Sequence, residues 1–163
     1  MIAVKRAKTQ DDFKLVETLA SQIWHEHYPS IIGLEQVEYM LAKFNSAKAI
    51  EDQVGLGAQF YYLTYNETPV GYMAIKPEAN FLFLSKLYVA KACRGKGVGR
   101  VALNFIDEEA KKQQLLGIRL KVNKYNTTSI AAYEKLGFKN VKASVTDIGN
   151  GFVMDDFEME KLF

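Results

Sequence analysis

The densest chemistry in this 163-residue chain is the run Arg94-Gly95-Lys96-Gly97-Val98-Gly99-Arg100. Glycines let backbone N–H groups approach a ligand that a Cβ would hold away. If a helix starts here, its first N–H groups have no internal partner and its dipole is positive at that end. Three cations lie among the glycines, and the whole reads as a cradle for a phosphate or pyrophosphate. A P-loop needs Ser or Thr directly after Gly-Lys, and Gly97 stands there instead. Gly97-Val98-Gly99-Arg100-Val101-Ala102 does satisfy the dinucleotide pattern G-x-G-x-x-A. That pattern wants an acidic residue about twenty positions on, at the end of the next strand. This chain has Val122-Asn123-Lys124 there. A plain glycine turn with solvated cations is the bland alternative.

A second run, Asn126-Thr127-Thr128-Ser129-Ile130-Ala131-Ala132-Tyr133-Glu134-Lys135-Leu136-Gly137-Phe138, carries a tyrosine able to donate a proton. Alone it reads as a short amphipathic helix, with Tyr133 in the core and Gly137 as the C-cap. The two runs together are more specific. Arg94-x-x-Gly97-x-Gly99 follows the strand Leu87-Tyr88-Val89. Asn126, Ser129, Tyr133, Lys135, Gly137 and Phe138 then match N-x-x-[AS]-x-x-x-Y-x-K-x-G-F. On these motifs and the order of elements the chain, from Ala3 to Phe163, resembles the GNAT superfamily of acetyl-CoA-dependent N-acetyltransferases.

The resemblance implies an α/β fold: a mixed, mostly antiparallel central sheet, helices on both faces, and a parallel strand pair that splays apart. It implies acetyl-CoA as cosubstrate and no metal. Main-chain groups of Leu87, Tyr88 and Val89 would bind the pantetheine arm as an added strand. The loop Arg94, Gly95, Lys96, Gly97, Val98, Gly99 and Arg100 would take the pyrophosphate, with Asn126, Ser129 and Lys135 completing the cofactor site. Tyr133 would be the general acid for the departing thiolate, and the Val89 N–H an oxyanion donor. The family often has a Glu on the long central strand as base. Here Phe83-Leu84-Ser85-Lys86 supplies none, which leaves Glu26, His25, His27 or water. Cys93 has no His or carboxylate beside it in sequence to activate it as a nucleophile.

The acceptor site would use Trp24-His25-Glu26-His27-Tyr28, with Trp24, Glu26, His27 and Tyr28 as contacts. Trp24-x-x-x-Tyr28, Gly33 to Gln36, Tyr39 to Leu41 and the C-terminal Met154 to Lys161 resemble a bacterial subgroup that includes polyamine acetyltransferases. Glu26, Glu35, Asp155 and Asp156 beside the aromatic pair would suit a cationic amine. Protein N-termini and other small amines are the competing acceptors. A non-catalytic acetyl-CoA-binding sensor or interaction module is the alternative class, and the retained Tyr133 argues against it.

The elements that must hold these residues follow from periodicity. Ala3 to Arg6 is a strand. Thr9 caps a helix with Phe13, Val16, Ala20, Ile23, Trp24 and His27 on one stripe, broken at Pro29. A second helix carries Val37, Met40, Leu41 and Phe44. Ser46 caps a third piece ending near Gly55 and Gly57. Phe60 to Tyr65, Val70 to Ile75 and Phe81 to Val89 are strands, joined by turns at Asn66 to Pro69 and Pro77 to Asn80. A helix spans Val98 to Leu116, a strand Ile118 to Val122, a helix Thr127 to Leu136. Phe138 to Val145 and Phe152 to Leu162 form a last hairpin.

Composition sets the frame. Hydrophobic residues are 48% and charged residues 25%, with 21 basic against 19 acidic side chains. A net charge of +2 gives no reason to expect a nucleic-acid or membrane partner. One cysteine allows no intrachain disulfide. The first twenty residues hold no signal-like apolar run, and no stretch approaches the ~18 apolar residues of a membrane span. The expectation is one cytoplasmic acetyltransferase domain, 1–163, acting on a small-molecule or peptide amine, with a homodimer allowed.

Overall fold

The computed structural model describes residues 1–163. Its seven strands form one sheet in the order β1-β2-β3-β4-β5-β7-β6. They are β1 (Ile2–Arg6), β2 (Gln59–Tyr65), β3 (Thr68–Glu78), β4 (Phe81–Val89), β5 (Gly117–Asn123), β6 (Lys139–Gly149) and β7 (Phe152–Leu162). Every neighbouring pair is antiparallel except β4 and β5, which run parallel. No helix is long and apolar enough to cross a membrane.

Four helices, α1 (Gln10–His27), α2 (Pro29–Ile32), α3 (Leu34–Phe44) and α4 (Ala47–Gly55), precede the central strands. Thr9 and Asp12 form a reciprocal capping box that fixes the start of α1. From there Phe13, Val16, Leu19, Ala20, Ile23 and Trp24 recur at helical spacing and are all buried. They pack with Val37, Met40 and Ile50 onto Phe60, Tyr72 and Ala74. The other core is built from α5 (Val98–Lys112), where Val98, Ala102, Leu103 and Ile106 meet Leu63, Met73, Leu82, Leu84, Ile118 and Leu120. Helix α6 (Thr127–Lys135) adds Ile130 and Tyr133 to that second core. Successive strand residues face opposite cores, as the two-residue strand period requires.

Pro29 does more than break α1. It opens α2 at the first helical position, where its missing N–H costs nothing. Strand β3 runs on through Pro77, which pairs with Leu82, so the turn shrinks to Ala79 and Asn80. Helix α5 stops at Lys112 instead of Leu116, because Leu115 and Leu116 turn back to bond the carbonyls of Ala110 and Asn80.

A buried polar chain ties the first core to the sheet. Trp24 Nε1 donates to the Tyr72 hydroxyl at 2.9 Å, and that hydroxyl donates to Asn45 Oδ1 at 2.9 Å. Asn45 in turn donates to the Met40 carbonyl. Tyr72→Phe strands one buried donor and one buried acceptor, at about 1–3 kcal/mol each. Urea unfolding of this variant should show a loss of roughly 2–5 kcal/mol with an unchanged m-value. A loss below about 0.5 kcal/mol would mean that water serves these groups.

Candidate active site

Strands β4 and β5 pair only from Phe81↔Gly117 to Leu84↔Leu120. Both continue, β4 to Val89 and β5 to Asn123. The separation starts where β4 carries a bulge: Ile75 pairs with Leu84 and Ala74 with Lys86, leaving Ser85 without a Cα partner on β3. An extra residue bends and twists its strand. Beyond it the β4 edge facing β5, from Ser85 to Val89, has no strand partner.

The gap opens into a cavity of about 940 Å³. Leu87, Tyr88, Val89, Arg94, Gly95, Gly97, Val98, Gly99 and Arg100 lie on its wall, and so do Asn126, Ser129, Tyr133 and Lys135. Trp24 and His27 of α1 border it, with Tyr28 just after the helix. Two expected residues stand elsewhere. Lys96 folds its ammonium over the Tyr65 ring, 5.0 Å from the centroid. Glu26 is exposed and accepts the Lys91 N–H at 3.1 Å, away from the cavity.

At the loop, Gly97 caps α5 in the left-handed region at φ 88°, with no side chain capping the helix. The first helical bond joins the Val101 N–H to the Gly97 carbonyl, so the N–H groups of Val98, Gly99 and Arg100 are unused by the helix. Gly99 has ordinary φ, and a Cβ built on it would meet no protein atom within 4 Å. Its lack of a side chain answers no need of the protein's own packing and leaves the helix end open to a ligand.

Deeper in, aromatic rings make one wall. Trp24 and Tyr28 lie 4.6 Å apart, and Tyr88 meets Trp24 at 5.4 Å and Tyr72 at 5.3 Å. Asn126, only 3% exposed, bridges helix layers across the sheet end. Its Nδ2 donates to the Tyr28 hydroxyl at 3.4 Å and its Oδ1 faces His27 Nε2 at 3.2 Å. Tyr133 stacks edge-on against Phe138. Burial holds its phenol proton well above the ordinary value, with the nearby Tyr28 phenol adding to the effect. Burial also pushes Tyr28 up to about 12.

Charges in the cavity are uneven. Lys86, Arg94, Arg100, Lys121 and Lys135 line it, and Asp156 is its one carboxylate. Of the four acids expected beside the aromatic pair, Glu26 and Glu35 are solvent-exposed and Asp155 sits 2.8 Å from the Lys124 ammonium. Burial pulls Lys86 down to about 8, with its Nζ donating to Gln53 Oε1 at 2.9 Å and no carboxylate paired to it. Asn45, Gln36, Met40, Phe44 and Met154 also border the cavity and were not singled out from sequence as contacts. Cys93 borders it too, without an imidazole or carboxylate bonded to its thiol. No cluster of three His, Cys, Asp or Glu side chains that would hold a metal is present.

The acetyltransferase (GNAT) family model matches residues 19–138. A curated relative, the spermidine N(1)-acetyltransferase of Thermoplasma acidophilum, is 27% identical over 159 residues, covering 94% of this chain and 96% of the relative. The crystal structure of the PaiA N-acetyltransferase of Thermoplasma acidophilum in complex with coenzyme A superposes with a TM-score of 0.81 at 25% identity, covering 100% of this chain and 99% of that one. A ribosomal-protein alanine N-acetyltransferase from Escherichia coli shares the fold, at TM-score 0.74 and 19% identity over 99% of this chain and 94% of that one. With the family motifs around one cavity and the match spanning both of them, this chain belongs to the GNAT acetyltransferase family and is an acetyl-CoA-dependent N-acetyltransferase.

Proposed function

We propose that the protein transfers the acetyl group of acetyl-CoA directly onto a primary amine, with Tyr133 as general acid. The observation that carries this is the single cavity reaching from the unpaired N–H groups of α5, along the open β4 edge, to the aromatic wall of α1. A pyrophosphate fits the first region, where Gly97 and Gly99 give access and Arg94 and Arg100 supply charge. An extended pantetheine arm fits the second, adding to β4 as a strand would. Its thioester then arrives beside Tyr133 and Tyr28, which both line the cavity.

The amine nitrogen attacks the acetyl carbonyl carbon and the C–N bond forms. The C–S bond breaks as the sulfur takes a proton from the Tyr133 hydroxyl. Tyr133, its phenol held well above the ordinary value, keeps its proton through the working pH range. Turnover should therefore show no descending limb from the phenol below about pH 10.

Polyamines are the acceptors supported by the spermidine acetyltransferase likeness. The cavity itself offers one carboxylate and a half-buried lysine, a setting for one ammonium at a time. A thiol-release assay with spermidine, 2-phenylethylamine and an N-terminal alanyl peptide is the direct test. Amine-dependent release is expected, and acetyl-CoA binding with no release for any amine would favour a non-catalytic sensor.

Tyr133→Phe removes one hydroxyl and little volume. Its kcat should fall by about 10²–10⁴-fold with acetyl-CoA affinity little changed, measured by steady-state kinetics and calorimetry. Unchanged kcat would move the proton donation to water.

A further inference from the structure

Asp156 sits on β7 opposite Asn123 of β5 and Ser144 of β6, at the end of the sheet where the β4–β5 gap opens. Along β7 the residues Phe152 and Met154 pack into the α1 core, and Asp156 continues that face by the two-residue period. It is 4% exposed. Its Oδ2 has no hydrogen-bond partner, nor does the buried Ser144 Oγ of the register-paired residue. A desolvated carboxylate oxygen without a partner is costly. This one lines the cavity beside Tyr28, whose phenol it influences electrostatically.

We propose that Asp156 receives the acceptor's ammonium group and takes its proton before attack. This rests on the acetyltransferase reading above and supplies the base that β4 lacks, since Ser85 and Lys86 occupy its expected place. His27 is the cavity's one imidazole, and its Nε2 is engaged by Asn126. Protons balance as follows. The ammonium gives one proton to the Asp156 carboxylate, which releases it to solvent. The neutral amine attacks the thioester. The second nitrogen proton is lost as the amide forms and restores the proton that Tyr133 gives to the departing sulfur. The products are the N-acetylated amine, the coenzyme A thiol and one proton.

The charged groups around Asp156 are Lys121 on β5, Lys124 just beyond it, and Asp155 and Glu158 on β7. Tyr28 faces it from the end of α1 and Ser144 from β6, neither carrying charge at neutral pH. Burial leads in raising the carboxyl to about 6, Asp155 and Glu158 add to it, and the two lysines oppose it. The carboxylate is thus available as a base above about pH 6. A raised carboxyl also penalises the charged folded form, so stability should fall as pH rises from about 4, the ordinary carboxyl value, to about 6 and level off above it.

The test compares wild type with Asp156→Asn, using spermidine and 2-phenylethylamine as probe amines from pH 5 to 9. Wild-type turnover of these amines tests the acetyltransferase reading; the difference between the two proteins tests Asp156. Asp156→Asn should lower kcat by about 10²–10³-fold, leave acetyl-CoA affinity within about twofold, and lose the acid limb near pH 6. Glu108→Gln, on the exposed face of α5, should match wild type. Thermal melts supply a readout free of substrate: Asp156→Asn should raise Tm at pH 8, and the gain should shrink as pH falls from about 6 toward about 4. Retained kcat with an unchanged acid limb would overturn the proposal. So would a Tm difference that ignores pH, because Asp156 would then carry no titrating penalty in the folded state.

Discussion

Two neighbouring parallel strands that part midway leave polar backbone exposed, and backbone N–H and C=O groups must find partners somewhere. Here β4 and β5 hold together through Leu84 and Leu120 and then separate at the Ser85 bulge. Everything functional is arranged around that break. The gap is held open from both faces: Leu103 and Val98 of α5 lie on one side, Trp24 and Tyr28 of α1 on the other. Asn126 locks the two layers together where the strands end, bonding Tyr28 and facing His27. The sheet cannot close the gap without dismantling both cores.

The division of labour follows from the two faces. The α5 end supplies unused N–H groups and a positive dipole, and Arg94 and Arg100 strengthen it. The α1 face supplies apolar and aromatic surface with few polar groups. In the proposed reaction a charged cofactor and a small amine would approach along chemically different walls toward Tyr133. The polar groups placed at this meeting point are all buried or half-buried, so each interaction acts in a medium less screening than water. The same burial makes Asp156 and Lys86 costly to the fold, a common feature of functional sites.

Much of this was legible in the residues. Arg94-x-x-Gly97-x-Gly99 and the Asn126 to Phe138 run marked two stretches of the cavity wall, because both consist of local backbone chemistry that spacing records directly. The stripe of α1 and the order of elements along the chain were equally plain. Side-chain direction over long range was harder. Glu26, Glu35, Asp155 and Asp156 look alike as acids, yet only Asp156 turns into the cavity. The signal was present in period two: Asp156 continues the apolar face of Phe152 and Met154, where a carboxylate is unexpected. Glu26 follows Trp24 by two on a helix and so points elsewhere, toward the Lys91 amide. Pro77 misled because a proline ends most strands, whereas here β3 continues through it to Glu78.

Amide hydrogen exchange with and without acetyl-CoA tests most directly whether the β4–β5 gap is the cofactor slot. Slowed exchange is expected in Ser85 to Val89 and in Gly95 to Arg100, the open strand edge and the uncapped helix start. Protection confined to other segments, or no protection under saturating acetyl-CoA, would contradict it.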